Sequence, residues 1–323
     1  MPGKIETAEG SDVPERRGVY LLTHPRSASN MFQIMMAKQP GYQNSGYKLF
    51  DAGFMSVGQM HRGRLSEWPE DDRTAAFAAF QKGWENLQNE VADAQKNGKQ
   101  AFIKEHALFL LAADKFFAFE FPNDDVKAPV LQERDGPKSA HTNPTSLPDR
   151  FLLSMQPIFQ IRHPALMFPS MVRAQASIMS DTSTRHPRVY STLTLRHSRA
   201  LFDWYLKNAS SERKPRVIDA DDIMSHPSAV RQLCTQTGLD PDAVQYEWDE
   251  VHEEDPLMAR FKSTINASKG IIKGMDARSL DIEAEKTKWT AEWGEEEAEN
   301  LAKYVKDAMS DYNYLLTHRT RGE

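Results

Sequence analysis

Three short stretches of this sequence carry side chains able to grip an anion or move a proton. The first is Thr23-His24-Pro25-Arg26-Ser27-Ala28-Ser29-Asn30, which directly follows the apolar run Gly18 to Thr23. Arg26 is a fixed planar cation that can hold a sulfate or phosphate through two parallel hydrogen bonds. Ser27 and Ser29 add hydroxyls, and Ala28 is small. The second is Arg162-His163-Pro164, with Ser170 eight residues beyond Arg162. An arginine at a strand tip and a serine two turns into the next helix can converge on one phosphate. The third is Lys104-Glu105-His106, whose imidazole has an ordinary pKa near 6.5, suited to proton transfer at neutral pH. Each stretch also has a plain structural reading: a helix N-cap, a solvated turn, and a histidine bonded to a backbone carbonyl. The first loop is not a Walker A loop, because no Gly-Lys-Ser/Thr follows it.

These side chains need a scaffold to bring them together. Residues 1–17 read as a flexible N-terminal arm. Gly18 to Thr23 is a buried strand, and Ser29 to Lys38 a helix ended by Pro40. Residues 41–68, with several glycines and scattered aromatics, read as irregular. Phe77, Phe80, Trp84, Leu87 and Val91 recur at helical spacing within Glu70 to Asn97, a long helix closed by Gly98. Gln100 to Lys104 is a second strand with Glu105-His106 at its end. Gln156 to Arg162 is a third, followed by a helix from Pro164 to about Met179. Helices over Thr192 to Lys207, Pro227 to Thr237 and Glu295 to Leu316 and a strand over Arg216 to Asp219 complete the pattern. Strands alternating with helices predict an α/β fold with a single doubly wound parallel sheet flanked by helices over residues 18–323. Residues 113–150, rich in Pro and Phe, are expected to form a lid insertion. In such sheets ligands bind beyond the carboxyl ends of the strands, where all three stretches fall.

The bulk numbers narrow the classes. At 323 residues, 40% hydrophobic and 27% charged, the chain can bury a sizeable core. A net charge of −6 argues against nucleic acid as a general partner. The one cysteine, Cys234, cannot form an internal disulfide and favours a reducing compartment. No run approaches the roughly 18 apolar residues of a membrane span. The expectation is a soluble, cytoplasmic protein with no membrane partner; the oligomeric state stays open, a homodimer being one option. His61, His141, His186 and His252 are scattered, with no clustering at metal-ligand spacing, so no metal is expected.

Taken together, the stretches resemble the PAPS-dependent sulfotransferases of the P-loop sulfotransferase-like superfamily, PAPS being 3′-phosphoadenosine 5′-phosphosulfate. Thr23 to Asn30 is similar to their 5′-phosphosulfate loop, Pro-Lys/Arg-Ser-Gly-Ser/Thr-Ser/Thr. Arg162 and Ser170 resemble their 3′-phosphate-binding pair, and Lys104-Glu105-His106 their Lys-x-His strand end. Arg216 to Met224 resembles their strand followed by an acidic segment, Pro227 to Gly238 the helix after it, and Ser268-Lys269-Gly270 the Arg-Lys-Gly triplet over the 3′-phosphate. The resemblance spans residues 18 to 316. It implies cofactor contacts from Arg26, Ser27, Ala28, Ser29, Asn30, Arg162, Ser170, Lys269 and Gly270. It implies catalytic roles for His106 as base and for Lys104 and Arg26 as charge-neutralising groups.

The implied function is sulfuryl transfer from PAPS to a hydroxyl of a small, largely apolar acceptor, possible walls being Tyr47, Phe50, Phe54, Met55, Met60, Phe116, Phe117, Phe119, Phe121, Met167 and Phe168. Secondary metabolism is one setting for such an acceptor. Four positions depart from the family pattern: Ala28 for Gly, Met31 for a stacking Trp, Ser268 for Arg and Ala220 for Tyr. They raise an alternative, the same fold repurposed for cofactor-free acid–base chemistry such as cyclisation, elimination or hydrolysis. A third reading is a fold that binds a nucleotide or partner without turnover.

Overall fold

The apolar run Gly-Val-Tyr-Leu-Leu-Thr becomes strand β1 (Gly18–Thr23), with every side chain buried. In the computed structural model, which describes residues 14–138, 140–176, 183–250, 252–255, 259, 261–272 and 274–322, β1 is the centre of a five-stranded sheet. Around it lie β2 (Tyr42–Ser45), β3 (Gln100–His106), β4 (Met155–Ile161) and β5 (Arg216–Asp219), in the order β2-β3-β1-β4-β5. All neighbours pair in parallel. The register sets Thr23 beside His106 and Ile161 beside Asp219.

Alternate side chains of each strand enter opposite layers. Tyr20, Leu22, Ile103, Phe159 and Val217 join a core with Trp84, Phe151, Phe202 and Trp289. Val19, Leu21, Phe102, Ile158 and Ile218 pack instead with Met31, Phe32, Val230 and Leu233. Helices therefore cover both faces, as continuous apolar parallel strands require. Among the described residues no helix is long and apolar enough to cross a membrane.

The expected strands and long helices are present. The helix over Glu70 to Asn97 is α3 (Glu70–Lys96), closed by Gly98 at φ 68°. The helix beginning at Ser29 is α1 (Ser29–Met35), shorter than expected. The helix from Pro164 is described to Ala176, and its expected continuation to Met179 lies outside the described residues. Three expectations are corrected. Residues 41–68 are not irregular: they supply β2 and the helix α2 (Phe50–Gln59). The arm is not loose up to residue 17, because Arg17 N–H donates to Ser154 O (2.9 Å), Arg17 O accepts from Ala101 N–H (3.0 Å), and Arg16 reaches Thr237 O (2.7 Å). Residues 1–13 of that arm lie outside the described residues. Finally, the 113–150 segment packs on α3, where Trp84 Nε1 donates to Gln132 O (2.8 Å) and Arg134 to Asn89 Oδ1 (2.7 Å). None of its described residues lines the cavity described below.

Tertiary packing decides α2. Its sequence has two glycines, poor helix formers, yet Gly53 permits a close approach to the helix α4 (Ala107–Leu110) that follows β3. A Cβ on Gly53 would lie 2.2 Å from Phe109 Cβ and 2.4 Å from its Cα. Gly53→Ala therefore forces α2 and α4 apart, an overpacking expected to cost about 1–3 kcal/mol. Urea denaturation of the two proteins checks this; equal stability would show that α2 seats on α4 by other means.

Candidate active site at the carboxyl edge of the sheet

A cavity of about 190 Å³, open to solvent, lies where β1, β3 and β4 end. Pro25, Arg26 and Ala28 to Met31 form one side and Arg162, Ser170 and Met171 another. Phe261, Lys262, Thr264, Ile265, Ile272 and Met275 close the cavity on a third side. Tyr47, Phe50, Phe54, His106 and Phe109 make an aromatic wall. The helix N-terminus after β1 and the strand tips thus face one space, as parallel-sheet geometry dictates.

One part of the cavity suits an anion. Arg26 Nε donates to Ser170 Oγ (2.9 Å) and its Nη1 to Phe261 O (2.7 Å). Arg162 donates to Arg26 O (3.2 Å) and Met275 O (2.8 Å), while its buried Nε has no partner. Lys262 adds a third cation, paired with Glu253 at 2.8 Å. Ser29 and Ser170 supply hydroxyls, and among the described residues no carboxylate lines the cavity. Burial lowers the pKa of both arginines, a cost that an oxyanion between them would relieve. The loop is wound tightly: Arg26 (φ 68°) and Ala28 (φ 64°) are both left-handed. Ser27 holds that winding, its Oγ donating to His24 O (2.7 Å) and its carbonyl accepting from Gln160 (2.6 Å).

The aromatic part suits proton transfer. Thr23 Oγ1 donates to Glu105 O (3.1 Å), which uses its one proton. With the Thr23 proton assigned to Glu105 O, the 2.6 Å contact between Thr23 Oγ1 and His106 Nδ1 is a donation from Nδ1–H. Nε2 carries the lone pair and accepts from the Tyr47 hydroxyl at 2.8 Å. Burial, with the charges of Lys104, His24 and Arg26, holds the His106 pKa well below 6.5, so the ring is neutral at pH 7. Lys104 is buried beneath this group, bonded to Asn30 Oδ1, with its Nζ 4.5 Å from the centre of the Tyr47 ring. Burial and Lys262 bring the Lys104 pKa down to about 7. Glu105, on the opposite face of β3 from its two neighbours, accepts from the backbone N–H groups of Lys48 and Leu49. It thereby fixes the chain between Tyr47 and α2.

Of the residues expected at the site, Arg26, Ala28, Ser29, Asn30, His106, Arg162 and Ser170 line this cavity. Ser27 and Lys104 lie behind it, buried. Lys269 does not reach it: its side chain is 76% exposed and faces Glu250. Gly270 pairs in a short bridge with Glu247 instead. Of the expected acceptor walls, Tyr47, Phe50 and Phe54 line the cavity, whereas Met55, Met60, Met167, Phe168 and the four phenylalanines of the 113–150 segment do not. Among the residues that sequence reasoning missed are Glu105, Phe109, Phe261 and Lys262. Glu105 did leave a signal, since a carboxylate inside a buried strand needs partners. Lys262 left none.

Burial pushes the Glu105 carboxyl from 4.5 up to about 7, against the pull of the Lys48 and Leu49 amides. A carboxyl raised on folding binds its proton more tightly in the folded protein. Its contribution to stability is thus complete below pH 4.5 and lost as pH rises through about 7. Glu105→Gln keeps an acceptor for both amides and removes that loss. We expect it to exceed wild-type stability above pH 7 by about 1–3 kcal/mol, with no such gain below pH 4.5. Urea denaturation across this window checks the difference; curves that run parallel would disprove it.

No family model matches the chain. It is 31% identical over 332 residues to "Sulfotransferase ppzF" of Metarhizium majus (strain ARSEF 297), covering 94% of this chain and 97% of that protein. It is 30% identical over 327 residues to "Sulfotransferase ppzF" of Metarhizium rileyi (strain RCEF 4871), covering 94% and 96%. Among solved structures it is similar to the "Sulfotransferase Domain from the Curacin Biosynthetic Pathway", with a TM-score of 0.46 and 14% identity over 87% of this chain and 98% of that one. Full-length similarity at this level to two named sulfotransferases leads to one conclusion: the chain belongs to the sulfotransferase-like family.

Proposed function

We propose that this protein is a PAPS-dependent sulfotransferase that acts on a hydroxyl of a small, flat, largely apolar molecule. One observation carries the reading: a single cavity, with no carboxylate among its described lining residues, joins Arg26, Arg162 and Lys262 to a neutral imidazole in an aromatic wall. The names of the two Metarhizium relatives point to the same reaction.

The donor set fits the two anionic ends of PAPS. Arg26, Ser29 and the Ala28–Asn30 backbone would hold the phosphosulfate, Arg162 and Ser170 the 3′-phosphate, and Phe261 offers the purine a flat face. When bound, PAPS supplies the sulfuryl group. The chain's own residues supply positioning and charge. Tyr47, Phe50, Phe54 and Phe109 exclude water and orient the acceptor, while Lys104 and Arg26 stabilise negative charge at the loop. His106, in its base form, is where the proton charge released by the acceptor is finally held.

A second reading is favoured by the loop itself. Ala28 puts a methyl group where the family has hydrogen, and Arg26 and Arg162 already spend donors on backbone carbonyls. That arrangement suits a sulfotransferase fold repurposed for cofactor-free acid–base chemistry. Titration with adenosine 3′,5′-bisphosphate in a calorimeter separates the two. Saturable binding is expected, weakened about 10- to 100-fold by Arg162→Ala, the loss of a charge-assisted contact. No binding at millimolar nucleotide would reject the PAPS reading and leave the second.

A further inference from the structure

We propose that Tyr47, not His106, meets the acceptor: its phenol oxygen takes the acceptor's hydroxyl proton while its own proton passes to Nε2 of His106. The inference rests on the reading above only in requiring a hydroxyl acceptor.

The hydrogen-bond order is its basis. His106 is only 6% exposed, and both ring nitrogens are engaged, Nδ1 by Thr23 and Nε2 by Tyr47. An acceptor could reach Nε2 only by displacing the Tyr47 hydroxyl. Tyr47 itself is half-buried and lines the cavity. It is also held from three sides: the Phe50 ring lies 5.4 Å away, Lys104 Nζ sits over its face, and Glu105 grips the next two backbone amides. The parallel register that sets Thr23 against His106 fixes the far end of the relay.

The step balances. The acceptor O–H bond breaks and its electron pair stays on the acceptor oxygen, which becomes the nucleophile. Its proton binds Tyr47 Oη as the original phenolic proton moves to Nε2. Tyr47 ends as a neutral phenol and His106 as an imidazolium, which later loses its proton to solvent. Burial and the charge of Glu105 raise the Tyr47 pKa, so tyrosinate does not build up; burial keeps His106 neutral until the phenolic proton of Tyr47 arrives.

The full-length protein labelled with [¹⁵N]histidine tests this by NMR, with 4-nitrophenol as probe and no nucleotide. We expect the free protein to show His106 protonated on Nδ1, with Nε2 as a hydrogen-bonded acceptor. 4-Nitrophenol should shift the Nε2 resonance saturably, and Tyr47→Phe should abolish that shift. Any of three results would overturn the proposal: a ring protonated on Nε2, no shift in wild type, or an undiminished shift in Tyr47→Phe. Should that variant not fold, 3-fluorotyrosine incorporation replaces it. As a stronger donor of the same shape, it should move Nε2 further toward the hydrogen-bonded extreme, and no movement would also overturn the relay. Because no nucleotide enters, a failed bisphosphate titration leaves this result standing.

Discussion

The site depends on one constraint: β3 carries three ionisable side chains into the protein interior at its carboxyl end, and each must find partners there. Glu105 finds the amides of Lys48 and Leu49, Lys104 finds Asn30, and His106 finds Thr23 and Tyr47. An unpaired charge in that position would cost several kcal/mol. The partners therefore have to come from particular places: the β1 tip, the loop after it, and the chain entering α2. Satisfying β3 builds the half of the cavity that holds His106 and Tyr47.

The half that holds Arg26 and Arg162 rests on a different constraint, the winding of the loop after β1. Two non-glycine residues there hold left-handed conformations, each costing roughly 1–2 kcal/mol. The surrounding bonds from Ser27, Gln160 and Arg162 hold it in that form. Strain kept at a ligand cradle is typical of sites organised in advance of binding. Arg162 thus ties its own guanidinium to the loop backbone, while Ser170 and Phe261 hold the Arg26 guanidinium at the cavity.

Much of this was legible beforehand, for physical reasons. β1, β3, β4 and β5 are buried strands with few alternatives for their apolar runs. α3 announces itself by Phe80, Trp84, Leu87 and Val91 on one face. The anion loop, Arg162 and Ser170 are local features with fixed spacing, and parallel topology brings strand ends together whatever the details. β2 and α2 were not legible. Tyr-Gln-Asn-Ser and a helix with two glycines have weak propensity, and pairing with β3 and the fit of Gly53 on Phe109 decide them. The 113–150 segment looked like a lid because it is rich in proline and phenylalanine, but Gln132 and Arg134 bond to α3 and none of its described residues lines the cavity.

What the sequence determined by itself was chemistry that a few adjacent residues carry: a cation and hydroxyls after one strand, an arginine and a serine eight apart after another, and a histidine at the end of a third. What only the tertiary structure decided was which groups share a space. It brought Lys262 to the cavity and left Lys269 in solvent beside Glu250, although the local motif favoured Lys269. It also placed the Tyr47 hydroxyl on Nε2 of His106, across 59 residues of chain. Local spacing is set by backbone geometry, which a short run of sequence reveals. Distant convergence is set by how whole layers pack, and no single stretch of the chain contains that.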